Sequence, residues 1–228
     1  MKILQVDLNK DNPEVIKEAV AVLEAGGVII YPTDTLYGIG CNALDEKAVK
    51  RIFDIKDRPL SKPLPMIVRD IKWVHDLAYV SKRQEEILNK IWPPGEGSRR
   101  GTSAGIASGR VTAVLNKRKI IPDILTSGHK TVGVRVPDYP LLDELLKLFG
   151  YPIVSTSANI SGTEGTGDIG KIIEAFSGRF TKVPDLVLDV GILPKSEPSA
   201  ILDLTGDQPK ISRVGPSKPE EFLKLLNI

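Results

Sequence analysis

Val28-Ile29-Ile30-Tyr31 is a four-residue apolar run with Gly26-Gly27 before it and Pro32 after it, and it limits the fold more than any other stretch. A short β-branched run without polar alternation suits a strand covered on both faces, which places helices on either side of a sheet. The preceding residues agree. Asn12 and Pro13 read as a helix cap and first helical residue. Val15, Ile16, Ala19, Val22 and Leu23 then recur at helical spacing until the two glycines. The alternation continues downstream. Asp45 can cap a second helix with Val49, Ile52 and Phe53 facing inward, and Ser81 with Gln84 forms a capping box for a third that ends near Trp92. Residues 64–68, 111–115, 131–136, 153–155, 186–189, 200–204 and 210–214 read as strands, 141–149 and 169–176 as helices, and Ser217 with Glu220 as the start of a final helix. Interleaved helices and strands without a composition shift predict one α/β domain spanning 1–228.

Composition excludes several classes. Lys plus Arg is 31 against 29 Asp plus Glu, so the net charge is +2 and no nucleic-acid coat or acidic tail is present, though a local cationic cleft is compatible with that balance. Cys41 stands alone and suits a small buried hydrophobe, and the two histidines are far apart, so neither an internal disulfide nor a structural zinc is expected. Residues 1–10 carry charges and no long apolar run, and no stretch approaches a membrane span. A cytoplasmic location without membrane attachment is the expectation.

Two glycine motifs mislead. Gly165, Gly167 and Gly170 have dinucleotide-fingerprint spacing, and Gly165, Gly170 and Lys171 have P-loop spacing. A P-loop needs Ser or Thr after the lysine to ligate Mg2+, and Ile172 stands there; a dinucleotide turn should follow a strand directly, and a polar loop intervenes. Other clusters carry more chemistry. Thr33, Asp34 and Thr35 crowd two hydroxyls and a carboxylate into the turn after the first buried run. Residues 56–63, KDRPLSKP, put Lys56, Arg58 and Lys62 within seven positions. Pro59 keeps Arg58 out of helical geometry, so Lys56 closes a helix and Arg58 projects from an extended turn. In STSANISG, residues 155–162, five of eight side chains are hydroxyls or an amide, a composition suited to phosphate or carboxylate oxygens.

PTDTLYGIG, KDRPLSKPL, TVGVRVPDYP, STSANISG and a late Ser199-x-x-x-Asp203 strand occur here in one order. Together they resemble the YrdC-type threonylcarbamoyl-AMP synthase family from about residue 14 to 215. That resemblance implies an α/β domain with a twisted mixed sheet and helices around a deep cationic cavity. It implies an ATP-dependent nucleotidyltransferase: L-threonine, bicarbonate and ATP, with Mg2+, give threonylcarbamoyl-AMP and pyrophosphate. A separate threonylcarbamoyl-transferase system then modifies tRNA. By the same resemblance Thr35, Arg135, Ser155 and Ser199 bind threonine, and Arg58, Lys62, Thr131, Ser157 and Arg213 bind the nucleotide. Lys56, Arg58, Ser157 and Asn159 form the family's catalytic Lys-x-Arg and Ser-x-Asn signature.

Three positions depart from the family pattern. Gly165 stands where a serine is common, and Ile67 where some members carry a histidine. The Trp-Pro-Gly-Pro-x-Thr turn is split, so that residues 94–110 separate Trp92-Pro93 from Val111-Thr112. That segment is glycine- and serine-rich, and it reads as a flexible loop. The rival readings are a paralogue of the same fold with an altered or lost reaction, and an RNA-binding module using the cationic cavity weakly. Few aromatics are available to stack bases in the second.

Overall fold

The computed structural model describes residues 1–92 and 110–215. Its elements follow in the order β1 (Lys2–Gln5), α1 (Pro13–Glu24), β2 (Ile29–Tyr31), β3 (Gly38–Gly40), α2 (Glu46–Lys56), β4 (Met66–Ile67), α3 (Ile71–Leu77), β5 (Ala78–Tyr79), α4 (Lys82–Ile91), β6 (Val111–Lys117), α5 (Asp123–Thr126), β7 (Thr131–Arg135), α6 (Pro140–Phe149), β8 (Ile153–Val154), β9 (Thr156–Ser157), α7 (Ile169–Phe176), β10 (Leu186–Asp189), β11 (Ala200–Asp203) and β12 (Lys210–Arg213). The strands form two twisted mixed sheets, one ordered β1-β10-β2-β3-β9 and the other β12-β11-β6-β7-β4-β8, with β5 alongside β6.

The first buried run behaves as its composition requires. Val28 and Ile30 pack into a core shared with α2, β6 and β7. Ile29 and Tyr31, alternating with them, pack into a second core built by α1 and α6. Strand periodicity thus commits both faces of β2 to apolar contact. A Cβ on Gly40 would lie 2.0 Å from the Val154 carbonyl oxygen, so only glycine lets β3 approach β8 this closely. There the Val154 amide donates to Cys41 O at 2.9 Å and an isolated bridge joins Asn42 to Ile153, stitching the two sheets together.

Capping chemistry decides the helix starts. Asp45 accepts from the amides of Lys47 and Ala48, and Ser81 with Gln84 closes the expected capping box. Asn12 differs from expectation: it makes no side-chain cap, because its amide donates to Asp7 O and Lys10 O in the preceding turn. Elements β1, β3, α3, β5, α5 and β9 add to those expected. The strand expected over 64–68 shortens to two residues, since the Leu64 amide is taken by Leu125 O and Pro65 has no amide to offer. The expected final helix lies outside the described residues, as does the expected loop 94–110 except for Arg110. Among the described residues no helix is long and apolar enough to cross a membrane.

Candidate active site

A cavity of about 300 Å³ opens where the two sheets meet. The β2–β3 turn supplies Thr33, Thr35 and Tyr37, the segment entering β4 supplies Pro63 to Met66, and β6 and β7 supply Thr112, Thr131 and Arg135. Residues 155–157, Ser199 and Arg213 complete the wall. Seven of the eleven expected site residues line it: Thr35, Thr131, Arg135, Ser155, Ser157, Ser199 and Arg213. They come from five separate stretches of chain, and pairing between strands brings them together.

The turn after β2 is locked from within. Thr33 Oγ1 donates to Leu36 O at 2.7 Å and accepts from the Thr35 amide at 3.0 Å, and the two threonine hydroxyls lie 3.1 Å apart. Arg135, at the end of β7, sits on this turn. Its guanidinium donates to Thr35 Oγ1 at 3.4 Å and pairs with Asp34 Oδ1, with only 8% and 10% of the two side chains exposed. Burial pushes the Asp34 carboxyl above its usual range against the pull of Arg135.

The second arginine stands on the same seven-stranded sheet, with β6 and β11 between it and Arg135. Arg213 donates through Nε and Nη2 to Ser199 O at 3.0 and 2.7 Å, and Ser199 Oγ lies 3.1 Å from Thr112 Oγ1. Burial, and then the Arg135 charge, lower the pKa of Arg213. Two like charges that line one cavity favour an anion beside them. The expected cationic character therefore rests on Arg135 and Arg213, the charged side chains on the wall among the described residues.

The four remaining expected residues do not line the cavity. Lys56 is 1% exposed. Its ammonium donates to Ser157 O at 2.5 Å, Asn159 O at 2.6 Å and Asn159 Oδ1 at 3.3 Å, so it holds the backbone of the 157–159 loop. Burial and then the Arg58 charge pull its pKa down to about 7. Asn159 belongs to the same anchor: Oδ1 accepts from Ser157 Oγ at 2.5 Å, and Nδ2 donates to Ile160 O and Thr163 O. Arg58 does not project as expected. Its guanidinium folds back to donate to Lys62 O at 3.0 Å and Pro63 O at 2.9 Å, because the tight turn over Pro59 leaves those carbonyls without backbone donors nearby. Lys62 is exposed on the same turn.

The departures have local causes. A Cβ on Gly165 would meet Leu36 Cδ1 at 3.1 Å and Ser157 Cβ at 3.3 Å, so a serine there would press directly on a cavity-lining residue. Ile67 is fully buried beside Arg135 in the β4–β7 ladder and packs into the second core. The glycine motif at 165–170 also finds its explanation: Asp168 caps α7 and accepts from the Gly170 and Lys171 amides, occupying the donors a phosphate would use. Sequence reasoning assigned no site position to Thr33, Tyr37 or Thr112, all of which line the cavity, nor a role to Asp34. Hydroxyls flanking a carboxylate in Thr33-Asp34-Thr35 were the available signal.

The family model Sua5_yciO_yrdC, described as "Telomere recombination", matches residues 21–215. A threonylcarbamoyl-AMP synthase from Klebsiella pneumoniae is 33% identical over 205 residues, covering 88% of this chain and 97% of that protein. The crystal structure of Pyrococcus abyssi Sua5 complexed with L-threonine superposes with a TM-score of 0.84 at 31% identity, covering 99% of this chain; this chain spans 61% of that one. Escherichia coli YciO, whose curated description is an uncharacterized protein, superposes with a TM-score of 0.78 at 29% identity, covering 97% of this chain and 98% of that one.

Proposed function

The chain belongs to the Sua5/YciO/YrdC family, and on that premise we propose that it is an L-threonylcarbamoyladenylate synthase acting in tRNA modification. It combines L-threonine, bicarbonate and ATP, releases pyrophosphate, and passes threonylcarbamoyl-AMP to a transferase system. Residues 1–228 act as one YrdC-like domain in the cytoplasm. The observation that carries this reading is convergence. Residues matching the family's threonine and nucleotide positions, scattered from Thr35 to Arg213, line one cavity that also holds two arginines, Arg135 and Arg213.

The chemistry asks for what this wall offers. Bicarbonate takes up a proton and loses water to give carbon dioxide, the threonine amine adds to it and releases a proton to leave a carbamate, and a carbamate oxygen attacks the α-phosphorus of ATP and expels pyrophosphate. Both partners are reactive once aligned, so positioning and charge stabilisation supply most of the rate. Thr35, Arg135, Ser155 and Ser199 hold the amino acid; Thr131, Ser157 and Arg213 hold the nucleotide, and Arg58 and Lys62, which do not line the cavity, swing in from the turn that enters β4 when it binds. Arg213 offsets charge developing on the phosphates. Among the described residues no group of three or more His, Cys, Asp or Glu side chains could hold a metal ion, so Mg2+ would arrive bound to the ATP phosphates. Lys56 and Asn159 act at one remove, by fixing the loop that presents Ser157.

Pyrophosphate release is expected to require threonine and bicarbonate together, with threonylcarbamoyl-AMP identified by mass. Cleavage of ATP to ADP, or equal turnover without threonine, rules the synthase out. A chain that folds normally and turns over none of these substrates is instead a paralogue with another reaction, as its match to uncharacterized YciO permits. Salt-sensitive RNA binding without turnover identifies the RNA-binding module. Arg58→Ala should leave the fold intact and raise the KM for ATP about 10- to 100-fold, since hydrogen bonds to charged groups contribute about 1.5–3 kcal/mol. Steady-state kinetics at saturating threonine measures this, and an unchanged KM removes Arg58 from the nucleotide site.

A further inference from the structure

The Arg135 end of the cavity is not simply cationic. Asp34 stands beside the wall with its carboxylate against the Arg135 guanidinium. Arg135 engages Oδ1; Oδ2 is buried and has no hydrogen-bond partner among the described residues. A buried carboxylate oxygen left without a donor is costly, so a fold that gains nothing from the charge would do better with an amide or an apolar side chain. Without Asp34 the cavity would present two fixed positive charges and would favour any small anion. With it, the Arg135 end carries a positive charge on the lining and a buried negative charge paired with it just off the lining. That pattern complements a molecule carrying a carboxylate and an ammonium on one carbon.

We propose that Asp34 is a specificity-determining residue, whose carboxylate beside Arg135 makes the cavity select a free zwitterionic amino acid over the acid of the same shape that lacks the amine. The proposal rests on the threonine site argued above and adds the group that reads the amine. The selection acts through the field of a buried charge, which is weakly screened. It needs no contact with Oδ2.

The test is calorimetric binding, without ATP, of L-threonine and of 3-hydroxybutyrate, which is threonine without its amino group. Wild type should prefer threonine by 10-fold or more, within the roughly 10- to 1,000-fold range by which a neighbouring opposite charge favours a charged form. Asp34→Asn keeps the shape and an oxygen for Arg135. It should lose about 10-fold or more in threonine affinity while 3-hydroxybutyrate binds as well or better, and Asp34→Glu should recover the preference. Equal weakening of both ligands in Asp34→Asn would show that Asp34 merely props Arg135, and overturns the proposal; so does an unchanged ratio. A wild type that binds 3-hydroxybutyrate as tightly as threonine overturns it whether or not the variant folds. A wild type that binds neither overturns it together with the synthase reading, whereas threonine-dependent pyrophosphate release with an unaltered variant ratio overturns this proposal alone.

Discussion

Arg135→Ala is expected to lower kcat/KM for threonine by about 30- to 1,000-fold while ATP still binds. The estimate follows from truncating one charge-assisted contact to a reacting anion, about 2–4 kcal/mol of transition-state stabilisation. Arg135 is well placed for that role. Its backbone is fixed in the β4–β7 ladder, where the Val68 amide donates to its carbonyl at 2.9 Å, and its side chain is gripped by Asp34 and Thr35. Truncation also strands Asp34 as an uncompensated buried charge, a loss of about 3–5 kcal/mol in stability. Part of the activity loss could therefore be unfolding. Arg135→Lys separates the two, because an ammonium still balances Asp34 but lacks the fork that reaches both Asp34 and Thr35. Steady-state pyrophosphate release, read beside a thermal melt, makes the measurement. A folded Arg135→Lys enzyme with a normal KM for threonine sinks the assignment.

Lys56→Met is expected to destabilise the protein by about 3–5 kcal/mol, because it leaves three oxygen acceptors without a donor, at about 1–3 kcal/mol for each one that stays buried. For a chain of this size that corresponds to a drop in Tm of roughly 10 °C. The reason is geometric: one ammonium serves Ser157 O, Asn159 O and Asn159 Oδ1, while the Ser161 amide bonds Lys56 O at 2.7 Å. Activity should fall with the loop. A variant that melts like wild type but has no turnover would instead make Lys56 a direct participant in catalysis. Titration gives a second check. The folded pKa, about 7, lies below the ordinary value of 10.5, so over that window the unfolded chain binds the extra proton. Wild-type stability should therefore rise with pH from about 7 toward 10.5, a slope Lys56→Met loses.

The fate of Lys56 shows where sequence reasoning stopped. A lysine in the last turn of a helix is normally a solvated partner for the dipole, and nothing within KDRPLSKP indicates that residues 157–159, a hundred positions later, fold over it. The Arg135–Asp34 pair was hidden in the same way. What could be read were the buried run of β2, the Asp45 cap and the Ser81 capping box, whose causes are local, and the motif order, seven of whose expected site residues line one cavity. Strand β3 could not be, because Gly-Ile-Gly has poor strand propensity and is extended only through its pairing with β2 and β9. Helix α3 was open to reading and was overlooked, since Asp70 caps it through the Trp73 amide.

The strand order also has a consequence for how the chain matures. Strand β1 pairs in parallel with residues 186–189, far later in the chain, and β6 waits for β11 at 200–203. Such long-range parallel pairings close late and fold slowly. Arg213 completes the cavity from β12, which pairs with β11. A nascent chain that has emerged only to residue 190 therefore lacks Arg213 and the β11–β12 part of the cavity wall.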